Sequence, residues 1–133
     1  MRLSLAQQIV LIILGLIIIY GLYITLNNVV VPRINPYRIT ATKAKSLMNN
    51  NYIDLVIDVR TPVEVKQIGA LPSSVNIPID SLEYVVPNTY PNRTANILIY
   101  CRRGIRASQA TNKLRSLGYK NVYFITDSYE SLL

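Results

Sequence analysis

The sequence predicts an α/β domain, a mainly parallel sheet flanked by helices, preceded by one N-terminal transmembrane helix. Three observations predict it. Residues 9–26 read IVLIILGLIIIYGLYITL, apolar on every face and without a charge. Pro32 and Pro36 then interrupt the chain. Beyond them, apolar β-branched runs alternate with segments carrying helix signals, the pattern of parallel strands joined by crossover helices.

The elements follow in order. Eighteen residues of helix at 1.5 Å rise span about 27 Å, close to a hydrocarbon core of roughly 30 Å. Tyr20 and Tyr23 lie toward the end of the run, where amphipathic rings suit the interface. A cleaved signal peptide would end in a shorter apolar run and an Ala-x-Ala-like site. Here the run continues into Tyr, Thr, Asn and Val, so residues 1–31 are expected to be an uncleaved anchor. Residues 32–36 form the linker, because two prolines end a helix and hold the chain extended. The folded domain occupies residues 37–133. Residues 37–39 are expected as a short strand, and Thr40 caps a helix over 41–49 that three asparagines end. Residues 52–59 form a buried strand, and Thr61-Pro62 opens a short helix to about Gln67. Residues 75–77 are a short strand and 79–84 a short helix. Residues 96–100 (NILIY) are a continuous apolar strand, followed by a helix over 106–117 with Gly118 ending it. Residues 122–125 are the last strand.

Composition excludes much. The chain of 133 residues has no histidine, which removes Ser-His-Asp and Cys-His catalysis and every histidine metal site. Its one cysteine forms no intrachain disulfide and no Cys-rich zinc site. No metal or cofactor is implied. The net charge of +7 suits small anions or anionic lipid. No zinc finger, helix-turn-helix signature or Lys-Ser/Thr phosphate loop accompanies it, so no nucleic-acid partner is expected.

Cys101 ends a buried strand and begins a loop into a helix N-terminus, beyond the carboxyl end of a strand, where α/β sheets bind ligands. Loop amides and the helix dipole present partial positive charge there, and Arg102, Arg103 and Arg106 add full charges. A thiol in such a place ionises more readily than a free one, without a histidine base. A merely structural cysteine at a strand end would need no such density of arginines, so Cys101 reads as a nucleophile and 102–106 as its substrate-binding loop, Arg102, Arg103, Gly104, Ile105 and Arg106. Asp58 and Arg60 read as a supporting polar network rather than as catalytic groups, with Arg60 and Glu64 spaced to pair across a helix start.

The motifs Ile57-Asp58-Val59-Arg60, Glu64, Gly69-Ala70-Leu71-Pro72, Val75-Asn76-Ile77-Pro78 and Tyr100-Cys101-Arg102-Arg103-Gly104-Ile105-Arg106-Ala107-Ser108 resemble the rhodanese-like family in order and spacing. The resemblance implies a parallel sheet flanked by helices and a sulfurtransferase. In that chemistry a persulfide forms on Cys101, cradled by loop amides, and the sulfur passes to an external thiol or cyanide. The arginines around the loop suit an anionic donor such as thiosulfate, through charge-assisted hydrogen bonds. Phosphate-handling relatives carry Cys-x5-Arg, one residue longer than the Cys-x4-Arg of Cys101 to Arg106. The chain departs from the family in lacking the His of Gly-His-Ile-Pro-Gly-Ala, and in ending with 126–133 where many members have Gly-Gly and Trp. The alternative expectation is a catalytically weak anchored module binding an anion or a protein. Tyr129, Leu132 and Leu133 are candidate contacts for a protein partner at the C-terminus, the other reading being that they only pack on the core. Arg33, Arg38, Lys43 and Lys45 follow the anchor while only Arg2 precedes it. The positive-inside rule therefore expects a single-pass protein with its N-terminus outside and its domain cytoplasmic, the cations close to lipid headgroups.

Overall fold

A computed structural model of the chain describes residues 4–26 and 35–133. Arg2, Arg33 and Pro32, on which the topology and linker expectations draw, lie outside the described residues. Two compact units divide the chain, Met1–Asn35 and Pro36–Leu133.

In the first unit, helix α1 spans Leu5–Thr25, with no buried residue. Ser4 opens it with a capping box: its hydroxyl accepts from Gln7 N–H, and the Gln7 side chain accepts from Ser4 N–H. Its 21 residues make about 31 Å at the helical rise. The helix is long and apolar enough to cross a membrane.

In the second unit, the strand expected at 37–39 reduces to one parallel bridge between Arg38 and Phe124. Pro36 offers no donor on one side and helix α2 begins at Ala41 on the other, leaving room for a single pair. α2 (Ala41–Asn49) is capped by the Thr40 hydroxyl and stopped by Asn51, whose φ of 54° an asparagine side chain tolerates. β1 is Leu55–Asp58, shorter than the apolar run, because Tyr52 and Asp54 stay exposed before the ladder begins. α3 (Pro62–Ile68) has proline in its first turn and a capping box of Thr61 and Glu64. β2 is Ser74–Asn76. The next helix, α4, runs Leu82–Thr89 instead of 79–84. The carbonyl of Pro78 holds the Ser81 N–H and hydroxyl in a turn that delays the start. Pro87 is tolerated in the last turn, where the Asn88 side chain donates to the Tyr84 carbonyl at 2.7 Å. β3 is Asn96–Tyr100, α5 Ile105–Ser116 and β4 Asn121–Phe124. Gly118, at φ 93°, turns the chain out of α5. A 3-10 turn follows at Tyr129–Leu132.

The sheet is fully parallel, in the order β2-β1-β3-β4. Alternate side chains point to opposite faces. Ile57, Ile97, Ile99, Val122 and Phe124 pack with Leu82 and Val86 of α4 and Ala107, Ala110 and Leu114 of α5. Val56, Leu98 and Tyr100 pack with Ala44 of α2, Leu71, Ile125 and Leu132. Of the three residues expected to meet a partner, Leu132 is thus buried in this second layer, Tyr129 is half-buried against it, and Leu133 remains exposed.

Candidate active site

From β2 the chain crosses over β1 to reach β3, so the strand order reverses beside β1, where parallel sheets open a crevice at their carboxyl ends. Asp58 and Tyr100 stand side by side there in the ladder. Cys101 follows Tyr100 and is 2% exposed. Its Sγ accepts a hydrogen bond from the Gly104 N–H at 3.1 Å. That bond requires the loop to fold back on itself, and Gly104 supplies the bend with φ 82°. No other residue fits: a Cβ at Gly104 would lie 2.6 Å from the Thr126 Cα. The Gly104 carbonyl meanwhile accepts from Ser108 N–H, the first rung of α5.

Cys101 shares a cavity of about 420 Å³ with Arg102, Arg103, Ile105, Arg106 and Glu64. The expected loop residues therefore come together around the thiol, with Gly104 holding the sulfur from inside. The pairing expected between Arg60 and Glu64 does not form. Glu64 instead accepts both terminal nitrogens of Arg106, at 2.6 and 2.7 Å. Arg60 is drawn inward to Asp58: its Nε donates to Oδ1 at 2.9 Å, its Nη2 to Oδ2 at 2.6 Å, and its Nη2 also to the Gly69 carbonyl at 2.7 Å. Hydrogen bonding to Asp58 raises the Arg60 pKa above its ordinary value. The Arg60 guanidinium sits 4.9 Å from the Tyr129 ring centroid, and the Tyr129 hydroxyl donates to the Ile68 carbonyl at 2.7 Å. Asp58 and Arg60 thus brace the turn after β1 beside the Cys101 loop.

A second cavity of about 300 Å³ adjoins through Arg102 and Arg103 and is walled by Arg60, Ser128, Tyr129 and Glu130. The short C-terminal segment therefore supplies a wall of its own. Ser128, Tyr129 and Glu130 were not legible as site residues, because contacts such as Tyr129 to Ile68 span 61 residues. The spacing of Glu64 pointed to Arg60, and nothing local pointed to Arg106, 42 residues away.

Hydrogen bonds from Arg106, and then from the Thr61 N–H, hold the Glu64 carboxyl down from 4.5 to about 2. The same pair raises Arg106 above its ordinary value. A carboxyl whose folded-state pKa lies below its unfolded one stabilises the fold fully above the unfolded value, and this is lost as pH falls through the folded one. Thermal midpoints should therefore drop between pH 4.5 and about 2. Glu64→Gln should start lower at neutral pH and lose less across that window; parallel curves would show that the pair contributes nothing.

Comparisons with known proteins identify the family of the domain. The family model described as Rhodanese-like domain matches residues 40–133. A protein named putative mitochondrial thiosulfate sulfurtransferase, from Schizosaccharomyces pombe, is 37% identical over 86 residues, 56% of this chain and 60% of that protein. The chain therefore spans less than two thirds of that relative. A rhodanese domain-containing protein of Drosophila melanogaster is 33% identical over 101 residues, 68% of this chain and 90% of that one. The solved structure of a human single-domain sulfurtransferase superposes with a TM-score of 0.63 at 25% identity, covering 73% of this chain and 95% of the human one. With its parallel sheet, its Cys101 loop and a family match over most of its length, the chain belongs to the rhodanese-like domain family.

Proposed function

We propose that this chain is a membrane-anchored sulfurtransferase in which Cys101 takes a sulfane sulfur as a persulfide and passes it to an external thiol or to cyanide. The observation that carries this is a buried Cys101 sulfur, held by the Gly104 amide, in a cavity lined by Arg102, Arg103 and Arg106. The Cys101 thiolate attacks the outer sulfur of a donor such as thiosulfate. A new S–S bond forms, the donor's S–S bond breaks, and its electron pair leaves with sulfite. Arg102 and Arg103 hold the anionic donor through charge-assisted hydrogen bonds. The sulfurtransferase names of the relatives support this chemistry. The chain has no second cysteine, so an external acceptor must attack the persulfide. Steady-state kinetics should give parallel double-reciprocal lines when donor and acceptor are varied, the signature of a covalent intermediate. Intersecting lines would exclude it.

The same proposal places α1 across a bilayer, with the N-terminus outside and the domain in the cytoplasm, from the excess of Arg and Lys after the helix. Asn92-Arg93-Thr94 is a glycosylation sequon, and Asn92 lies in an exposed turn, its Oδ1 accepting from the Thr94 N–H and hydroxyl. Expressed in a eukaryotic host, the chain should carry no glycan at Asn92. A glycan removed by Asn92→Gln would place the domain on the lumenal side.

A further inference from the structure

Four groups of fixed charge line the Cys101 cavity: Glu64, Arg102, Arg103 and Arg106. They are not equivalent. Arg106 is engaged by Glu64 through both nitrogens, whereas Arg102 and Arg103 make no ion pair among the described residues. The Arg106 and Glu64 side chains are 31% and 26% exposed, so a ligand in the cavity meets the pair directly. Glu64 is also fixed from behind, since its Oε2 accepts from the Thr61 N–H and hydroxyl, both at 3.0 Å. It is a built-in carboxylate occupying the fork that an oxyanion of the donor would otherwise take.

We propose that Glu64 is a specificity-determining residue that sets the charge of the sulfur donor, favouring a singly charged thiosulfonate over doubly charged thiosulfate. The inference rests on the sulfurtransferase reading and deepens it. With Glu64 holding Arg106, Arg102 and Arg103 are the guanidiniums of the cavity left for a donor, and Glu130 stands beside both in the adjoining cavity. The positive charge left for the donor is therefore small, and the second negative charge of thiosulfate gains least from it. Transfer from a thiosulfonate is balanced: the Cys101 thiolate bonds to the terminal sulfur, the donor's S–S bond breaks, and the electron pair departs on the sulfinate. Total charge is unchanged and no oxidant is needed.

The test compares benzenethiosulfonate with thiosulfate as donors for the full chain and for Glu64→Gln. Glutamine keeps an oxygen for Thr61, so α3 keeps its cap. Coulomb energy is linear in donor charge. Releasing Arg106 should therefore raise kcat/KM by about ten-fold for thiosulfate and by about three-fold, its square root, for benzenethiosulfonate. In Glu64→Gln/Arg106→Gln the cavity returns to its original net charge, and the donor ratio should return with it. A change by the same factor for both donors, a loss with thiosulfate, or a ratio that persists in the double variant would overturn the proposal and leave Glu64 a support for the loop. If wild-type protein formed no persulfide with either donor, the sulfurtransferase reading would fail instead. Calorimetric binding of inorganic sulfate then decides the role of Glu64 without turnover: about ten-fold tighter binding in Glu64→Gln is expected, and unchanged binding overturns it.

Discussion

Asp58→Ala should destabilise the domain by about 3–5 kcal/mol, a large part of the roughly 5–15 kcal/mol that holds a domain of this kind. Asp58 is 0% and Arg60 1% exposed, so neither charge reaches water. The Asp58 carboxylate accepts from the Arg60 backbone N–H at 3.0 Å as well as from its guanidinium, and the Arg60 side chain reaches on to the Gly69 carbonyl. Removing the carboxylate leaves a buried guanidinium with no counter-charge. The Coulomb attraction is lost while the desolvation remains. Asn76, whose side chain donates to the Asp58 and Arg60 carbonyls, would keep the turn shape but not its charge balance. Urea unfolding should show the loss as a lower midpoint at unchanged slope. Asp58→Ala/Arg60→Met should be less damaged than Asp58→Ala alone, because no unpaired ion remains. A loss under 1 kcal/mol in the single variant would mean that the ion pair does not hold the turn.

Cys101→Ser should lower sulfur transfer by about 10⁴-fold or more while the domain stays folded. A serine oxygen can accept the Gly104 N–H as the sulfur does, and the side chain stays small enough for a position that is 2% exposed. Serine cannot carry a sulfane sulfur as a persulfide, and with no other cysteine in the chain nothing substitutes for it. Far-ultraviolet circular dichroism and the thermal midpoint should remain close to wild type. Transfer that survives in this variant would place the chemistry elsewhere.

The local parts of this architecture were legible in the sequence because their causes are local. Apolar runs gave the strands, Thr40 and Thr61-Pro62 gave two helix starts, and Gly118 gave a helix end. The Cys101 loop was legible for the same reason: six consecutive residues make it, and its one glycine stands where φ is positive. What failed was pairing between distant segments. Spacing along a helix suggested Arg60 for Glu64, but a closer carboxylate two residues back captured Arg60, and Arg106, 42 residues away, took Glu64. The same limit hid what Tyr129 and Leu132 touch. Their contacts with Ile68, Arg60 and the second core layer arise only once the fold has brought residues 129–132 beside residues 60–71.

Sulfur transfer through this site requires that Cys101 accept a sulfur atom. Intact-mass measurement of the protein after incubation with thiosulfate or benzenethiosulfonate, without added thiol, shows whether it does. One added sulfur, about 32 Da, should appear on wild-type protein as the covalent intermediate of a nucleophilic cysteine. It should be removed by cyanide and be absent from Cys101→Ser. An unchanged wild-type mass with both donors, or the same gain in Cys101→Ser, would show that Cys101 is not the sulfur acceptor.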